Sequence, residues 1–293
     1  MTTRYPVYVI SKGRADCCLT AKFLIKDGAP FSLVVEPQEH AAYAGRFGAD
    51  RVRALPFSNL GLGSIPARNW VWEDSRAAGF ERHWILDDNI YDIEYRYRGK
   101  RIICDSGAAL SAVEDFIDRF ENVAIGGLNY HMFAPSGREI PPFVRNAHVY
   151  SCLLIRNDLP YRWRGRYNED TDLCLQVLSG GWCTVQTNAF LIHKVTTMKM
   201  KGGNTAELYK GDGRLKMARS LERMWPGVVE TKRRFGRPQH FIKDAWKRFT
   251  TPLKVRADAP PPDPQRHALA LQQVKPIQSD SLREWYGQEL RTQ

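Results

Sequence analysis

His83-Trp84-Ile85-Leu86-Asp87-Asp88-Asn89-Ile90 decides how this chain is read. A short apolar run breaks off at two carboxylates and an amide, the pattern of a buried strand that delivers a polar tip. Adjacent carboxylates repel unless something cationic sits between them. A divalent ion with oxygen ligands, Mg²⁺ or Mn²⁺, answers that need and keeps positions open for substrate phosphates. The same pair also suits a turn or a helix cap, so the surrounding chain has to decide.

Toward the N-terminus, Tyr5 to Ile10 is apolar and β-branched and stops at Ser11-Lys12-Gly13-Arg14. Leu19 to Asp27 has helical spacing, Phe31 to Val35 is a second strand ending at Glu36-Pro37, His40 to Phe47 suits a helix, and Arg51 to Leu55 is extended. Strand and helix alternating in this way predict parallel βαβ units. Asn59-Leu60-Gly61-Leu62-Gly63 then leads to a helix with Ser64 at its N-cap and Pro66 in its first turn, carrying Arg68 and Asn69 toward Gly79. Glycines before a helix N-terminus leave backbone N–H groups that favour phosphate.

Beyond the central stretch, Ile90 to Arg98 is strand-like and Ser106 to Glu121 is an amphipathic helix with Leu110, Val113, Phe116, Ile117 and Phe120 on one face. Val123 to Gly127 returns as a strand, Asn129 to Asn146 has loop composition, and Ala147 to Ile155 is a further strand. Tyr161 to Tyr167 is dense in arginine and aromatics and runs into Asn168-Glu169-Asp170-Thr171-Asp172. Leu173 to Leu178 continues as a helix that stops at Gly180-Gly181, and Trp182 to Ile192 is the last apolar strand, closed by His193. Basic helical segments are expected from Thr205 to Met224 and from Pro238 to Phe249, then a stiff linker, Ala259 to Pro264, and a tail with a helix at most from Leu282 to Leu290.

The chain has 293 residues and a formal net charge of +11. Residues 194–256 hold 17 Lys and Arg against five Asp and Glu, so this window carries the whole excess and the remainder is close to neutral. A localised basic surface attracts polyanions such as nucleic acid. The six cysteines form neither a C-x-x-C pair nor a Cys/His cluster at zinc spacing and read as reduced thiols. No apolar run approaches the ~20 residues of a membrane span, and the expected location is cytoplasmic. The organisation that follows is a core over residues 1–204, a basic extension over 205–256, and a Pro-rich linker and tail over 257–293.

Ligands of open parallel sheets bind beside the carboxyl ends of the strands, where Ser11 to Arg14, Glu36, Asp87 to Asn89 and His193 are expected to meet. Lys12 and Arg14 can meet phosphate, Glu36 can accept from a base or ribose, Asp87 and Asp88 can bring a metal to a diphosphate, and His193 can be a further ligand. Activating a weakly acidic hydroxyl needs a carboxylate within hydrogen-bond reach. Asp170 and Glu169 are the candidates, with Thr171 and Asp172 capping the helix or orienting the base. No G-x-x-x-x-G-K-[ST] is present, which disfavours a P-loop NTPase.

Tyr8 to Ala15, Val34-Val35-Glu36-Pro37, Arg68-Asn69, Trp84 to Ile90 and Asn168 to Leu173 occur in an order and spacing that resembles the TET/JBP-associated glycosyltransferases. The resemblance covers about residues 5 to 204. It implies a GT-A-like α/β fold, a mixed and mostly parallel central sheet flanked by helices, with a basic helical C-terminal extension. It also implies phage-type DNA glycosyltransfer: a sugar moved from a nucleotide diphosphate, UDP-linked by expectation, to the hydroxymethyl group of a 5-hydroxymethylpyrimidine in DNA, 5-hydroxymethylcytosine favoured. Asp87-Asp88-Asn89 would be the counterpart of the D-x-D element that binds Mn²⁺ or Mg²⁺ and the nucleotide-sugar. His193 would match the late histidine ligand, Glu169-Asp170 the acidic pair that keeps the base, and Ser11, Lys12, Arg14, Glu36, Arg68 and Asn69 the nucleotide side. Asn89 departs from the third D-x-D position and leaves the metal contacts open. Residues 194–256 would hold the DNA backbone, with Arg162, Trp163 and Arg164 nearer the base. Two rivals stay open at this point, a glycosyltransferase of the same fold with a non-DNA acceptor, and a non-catalytic DNA-binding protein with a degenerate transferase fold.

Overall fold

The computed structural model describes residues 2–195, 200, 202–203, 213–234, 236–243 and 245–260. The central sheet is built from β1 (Val7–Ile10), β2 (Ser32–Val35), β3 (Val52–Ala54), β4 (Arg82–Asp87), β5 (Ile90–Tyr97), β6 (Lys100–Ile103), β7 (Val123–Tyr130), β8 (Phe143–Arg145), β9 (Cys152–Arg156) and β10 (Cys183–Lys194). Its order is β3-β2-β1-β4-β9-β7-β10-β5-β6, with β8 also on β10. The ladders make β3, β2, β1, β4, β7, β10 and β6 run one way and β9, β5 and β8 the other, so the sheet is mixed α/β with most strands parallel.

Both faces of the sheet are covered, as parallel strands require. Val7, Val9, Trp84 and Leu86 point to one face, where they pack with α1 (Leu19–Lys26), α2 (His40–Phe47) and α4 (Ser106–Ile117). Their neighbours Tyr8 and Ile85 point to the other, onto α3 (Ile65–Ala77) and α5 (Glu169–Ser179). The near-continuous apolar run at Trp84-Ile85-Leu86 is thus a strand buried on both sides. β7 and β9 approach closely because Gly127 has no side chain: a Cβ there would lie 2.3 Å from the Cys152 carbonyl oxygen.

The expected elements up to β4 are present. Several later ones differ. β6 has no counterpart among the expected strands; it forms because Arg98 (φ 49°) and Gly99 (φ 73°) both take positive φ, the two-residue turn that folds a strand back on itself. The strand expected from Ala147 is shortened to Cys152–Arg156, since Ser151 sits at φ 63° and breaks the extended run. The acidic knot forms the first turn of α5, which begins at Glu169, four residues before the expected Leu173.

The expected helix from Pro238 to Phe249 is a correction. After α6 (Gly213–Met224) the chain forms the hairpin β11 (Val229–Arg234) and β12 (Arg237–Ile242), and only Ala245–Arg248 is helical. Val229 pairs with Ile242 and Thr231 with His240, so apolar and β-branched residues find cross-strand partners that a local helical reading cannot see. Residues 204–212, the last part of the linker and the tail helix lie outside the described residues. Leu221, Val228 and Val229 pack on Leu175 of α5, and Asn122 binds the Pro252 carbonyl and the Lys254 N–H, strapping the extension to the core. Among the described residues, no helix is long and apolar enough to cross a membrane.

His83 on β4 is fully buried, its Nδ1 2.6 Å from Asn157 Oδ1, and burial pushes its pKa down to about 4 from 6.5. The unfolded chain therefore binds a proton near pH 6.5 that the folded chain refuses until about pH 4; this stability is complete above 6.5 and is lost as pH falls through that window. Urea unfolding from pH 7 to pH 4 is expected to show wild type losing roughly 3 kcal/mol relative to His83→Leu.

Candidate active site

The Asp87-Asp88-Asn89 turn is held by its backbone before its side chains do anything. The Asp88 carbonyl accepts the Leu19 and Thr20 N–H groups at the start of α1, 3.0 and 3.3 Å away, donors that a helix leaves without internal partners. Thr20 Oγ1 donates to the Asp87 carbonyl at 2.6 Å and accepts the Ile90 N–H at 3.0 Å. The carboxylates are consequently fixed at the carboxyl end of β4, on the rim of a cleft of about 330 Å³.

The two carboxylates have different surroundings. Asp88 is 5% exposed and both its oxygens are taken, by Arg14 Nη1 and by Ser11 Oγ at 2.6 Å. Burial raises its pKa against those partners. Asp87 keeps 30% of its side chain exposed, toward the cleft; Arg68 Nη2 lies 3.1 Å and Lys194 Nζ 3.4 Å away. Burial pushes its carboxyl up, and Lys194 and Arg68 outweigh this and hold it below the ordinary range. On the β2 side Glu36 accepts from Lys12, Gln38 and the Asn59 N–H, which overcome burial and lower its pKa.

Arg68 joins the two acidic clusters. Its side chain is 10% exposed and lies over the Trp163 ring, 4.6 Å from the centroid; Nη2 reaches Asp87 while Nε is 3.2 Å from Ser64 Oγ and 3.5 Å from Glu169 Oε1. Ser64 spends its hydroxyl on Glu169 at 3.1 Å, so it occupies the N-cap of α3 without making a side-chain cap. Asp170 turns to the other side, 3.3 Å from His148 Nε2, and accepts the Thr171 N–H at 2.7 Å. Burial raises both carboxyls; contact with His148 and the Thr171 N–H reverse this and hold Asp170 far below the ordinary range, whereas Arg68 does not overcome burial and the neighbouring Asp170 charge at Glu169, which stays raised. The two neighbouring acids are thus driven in opposite directions, Asp170 down and Glu169 up.

Of the residues singled out from the sequence, Ser11, Lys12, Arg14, Glu36, Arg68, Asp87, Asp88, Asn89 and Glu169 all line the one cleft. Asp170 stands beside it. Asn69 does not reach it; its amide donates to the Trp163 carbonyl and accepts the Trp163 N–H, pinning the arginine-aromatic segment. Arg162 pairs with Glu73, Trp163 is buried under Arg68, and Arg164 pairs with the buried Asp172, which also accepts from Trp225 Nε1, so these groups hold the fold. His193 points away from Asp87, toward Asp92 at 3.4 Å, and stacks on His131. The cation at the end of β10 is its neighbour Lys194, because consecutive strand residues face opposite sides.

The residues present fit a hard divalent cation in part. Asn89 Oδ1 is buried without a hydrogen-bond partner and Asp87 offers an exposed carboxylate, both oxygen donors of the kind Mg²⁺ and Mn²⁺ prefer, whereas Asp88 is already saturated. Sequence reasoning missed His148, Tyr150, Lys194 and His240. Tyr150 Oη is buried without a partner and its ring is 4.9 Å from His148; His240 on β12 is lowered by burial and by His148, with Asp170 opposing. No local pattern marks His148 or His240, and strand periodicity alone could have pointed to Lys194.

The fold and the cleft define an α/β enzyme with its site at the carboxyl ends of parallel strands. Residues 5–203 match the TET-Associated Glycosyltransferase family, and the chain belongs to it; it is a glycosyltransferase. Among solved structures it is similar to a Desulfovibrio desulfuricans G20 protein provisionally assigned as a nucleotide-diphospho-sugar transferase, with 10% identity, a TM-score of 0.35, and coverage of 63% of this chain and 79% of that one. No curated protein matches the chain.

Removing Arg14 leaves the buried Asp88 without its ion partner. Arg14→Met is expected to lower the urea unfolding free energy by about 3 kcal/mol, and adding Asp88→Asn should recover much of it in a double-mutant cycle.

Proposed function

We propose that this glycosyltransferase moves a sugar from a nucleotide diphosphate sugar, UDP-linked by preference, to the hydroxymethyl oxygen of a 5-hydroxymethylpyrimidine in DNA, 5-hydroxymethylcytosine favoured. The observation that carries the reading is Arg68 bridging Asp87 and Glu169 in one cleft, the two carboxylates this reading assigns to the donor and acceptor sides. Family membership supports sugar transfer.

In this reading Lys12, Arg14, Arg68 and Lys194 surround the cleft with positive charge that meets the diphosphate, and Glu36 receives the ribose or base. A divalent cation held by Asp87 and Asn89 would supply further charge neutralisation for the departing diphosphate. Asp170 accepts the proton of the acceptor hydroxyl as its oxygen bonds to the sugar C1. The C1–O bond to the diphosphate breaks with its electron pair on the phosphate oxygen. His148, 3.3 Å from Asp170, orients that carboxylate and can carry the proton away. Glu169 stays paired with Ser64 and Arg68.

The basic hairpin supports a DNA acceptor. It carries the exposed Arg233, Arg234 and Arg237 and places His240 near His148 and Asp170, so a duplex held by the extension would lie against the acceptor side. A base inside a duplex would have to be flipped out, at a cost of a few kcal/mol.

Incubation with nucleotide-sugars and hydroxymethylated DNA, followed by mass spectrometry of digested nucleosides, is expected to show a glycosylated hydroxymethylpyrimidine and none from unmodified DNA. Asp170→Asn should reduce kcat by roughly two to four orders of magnitude. DNA affinity should fall linearly on a log-log salt plot, and Arg233→Gln with Arg237→Gln should flatten the slope by about 0.9 for each phosphate that is no longer neutralised. Transfer to a glycan or small alcohol with DNA inert would overturn the acceptor assignment.

A further inference from the structure

We propose that Glu94, His131 and His193 form a binding site for one divalent transition-metal ion, of the zinc class, separate from the donor cleft. One ligand atom from each of the three lies within 4.8 Å of the others. Two imidazole nitrogens and one carboxylate oxygen make a borderline-soft set that suits zinc and open coordination, unlike the oxygen-only donors at Asp87 and Asn89. None of the three residues lines the cleft.

The sheet brings them together. On the antiparallel β5–β10 ladder His193 pairs with Asp92 and Leu191 with Glu94, which puts Asp92, Glu94 and His193 on one face. β7 runs parallel to β10, with Tyr130 opposite Ile192, and delivers His131 just past its end. All four side chains are between 12% and 21% exposed, open enough for an ion to enter and enclosed enough to hold it.

Three features are those of a ligand set rather than of surface polar groups. His193 Nδ1 lies 3.4 Å from Asp92 Oδ2, the kind of outer carboxylate contact that orients a ligating imidazole. Glu94 Oε2 and Asp92 Oδ1 are buried with no hydrogen-bond partner, and Arg101 Nε, at 3.7 Å from Glu94, is too distant to be one. Finally, the His131 and His193 rings are stacked with centroids 4.4 Å apart and an interplanar angle of 21°, which holds the two imidazoles side by side. Zinc bonds of about 2.0–2.1 Å put tetrahedral ligand atoms roughly 3.4 Å apart, so the cluster closes by about 1 Å through side-chain torsions.

Such an ion would pin the segment after β7 to the end of β10. Tyr130 stacks on His131 and its hydroxyl donates to the Lys194 carbonyl at 3.3 Å, and Lys194 holds Asp87. The site is a positioning element next to the cleft rather than part of it.

The test uses the full-length protein stripped with a chelator and titrated with Co²⁺ and Zn²⁺ alone. One Co²⁺ per chain is expected, with visible d–d bands and no near-ultraviolet thiolate band; Zn²⁺ should displace it and raise the melting temperature. His131→Ala and Glu94→Gln should each weaken Zn²⁺ binding at least tenfold and Asp92→Asn about tenfold, with near-ultraviolet circular dichroism reporting that each variant is folded, while Asp87→Asn keeps the site. Absence of a stoichiometric cobalt spectrum, a thiolate band, or unchanged affinity in whichever of the His131 and Glu94 variants folds would overturn the assignment.

Discussion

Charge compensation among closely spaced acids is the constraint on which this site rests. Asp87, Asp88, Glu169 and Asp170 arrive from two distant parts of the chain and would repel one another in a low-dielectric interior. Arg14 pairs with Asp88, Lys194 and Arg68 with Asp87, and Arg68 again with Glu169, while Asp170 lies against His148 and accepts the Thr171 N–H. Arg68 occupies the middle position, and a planar guanidinium with donors on two edges can serve two carboxylates where an ammonium could not. Its guanidinium lies over the Trp163 ring, which ties the arginine-aromatic segment to the site.

This arrangement separates what binds from what holds. Asp88 is fully engaged in the fold, while Asp87, one residue earlier, faces the cleft with exchangeable partners. The same division recurs on α5, where Asp172 is buried between Arg164, Gln176 and Trp225 and anchors the extension, while Glu169 and Asp170 remain at the cleft. Adjacent acids in a sequence motif thus have unlike roles, set by which side of a strand end or helix turn each one faces.

The extension is tied to the catalytic core more closely than a tail. Residues 251–256 run along Arg119 to Asn122, joined by backbone bonds and the Phe120–Val255 bridge, and the hairpin carries His240 toward His148. The exposed basic side chains of the hairpin and Asp170 therefore belong to one connected body.

By itself the sequence determined the βαβ order, the polar strand ends and the family, because buried parallel strands leave continuous apolar runs and because Ser11 to Arg14, Asp87 to Asn89 and Asn168 to Asp172 are local motifs. It also named nine of the polar and charged residues that line the cleft. Tertiary structure alone decided the rest. Whether residue 193 or 194 meets Asp87 depends on the face each presents; that Pro238 to Ile242 is a strand depends on partners at Val229 to Arg234; and His148 and Tyr150, in the loop before β9, and His240 on β12 come together near Asp170 only in the folded chain. Long-range pairing and side-chain direction leave no mark in a local window, so these were legible only once the sheet was in place.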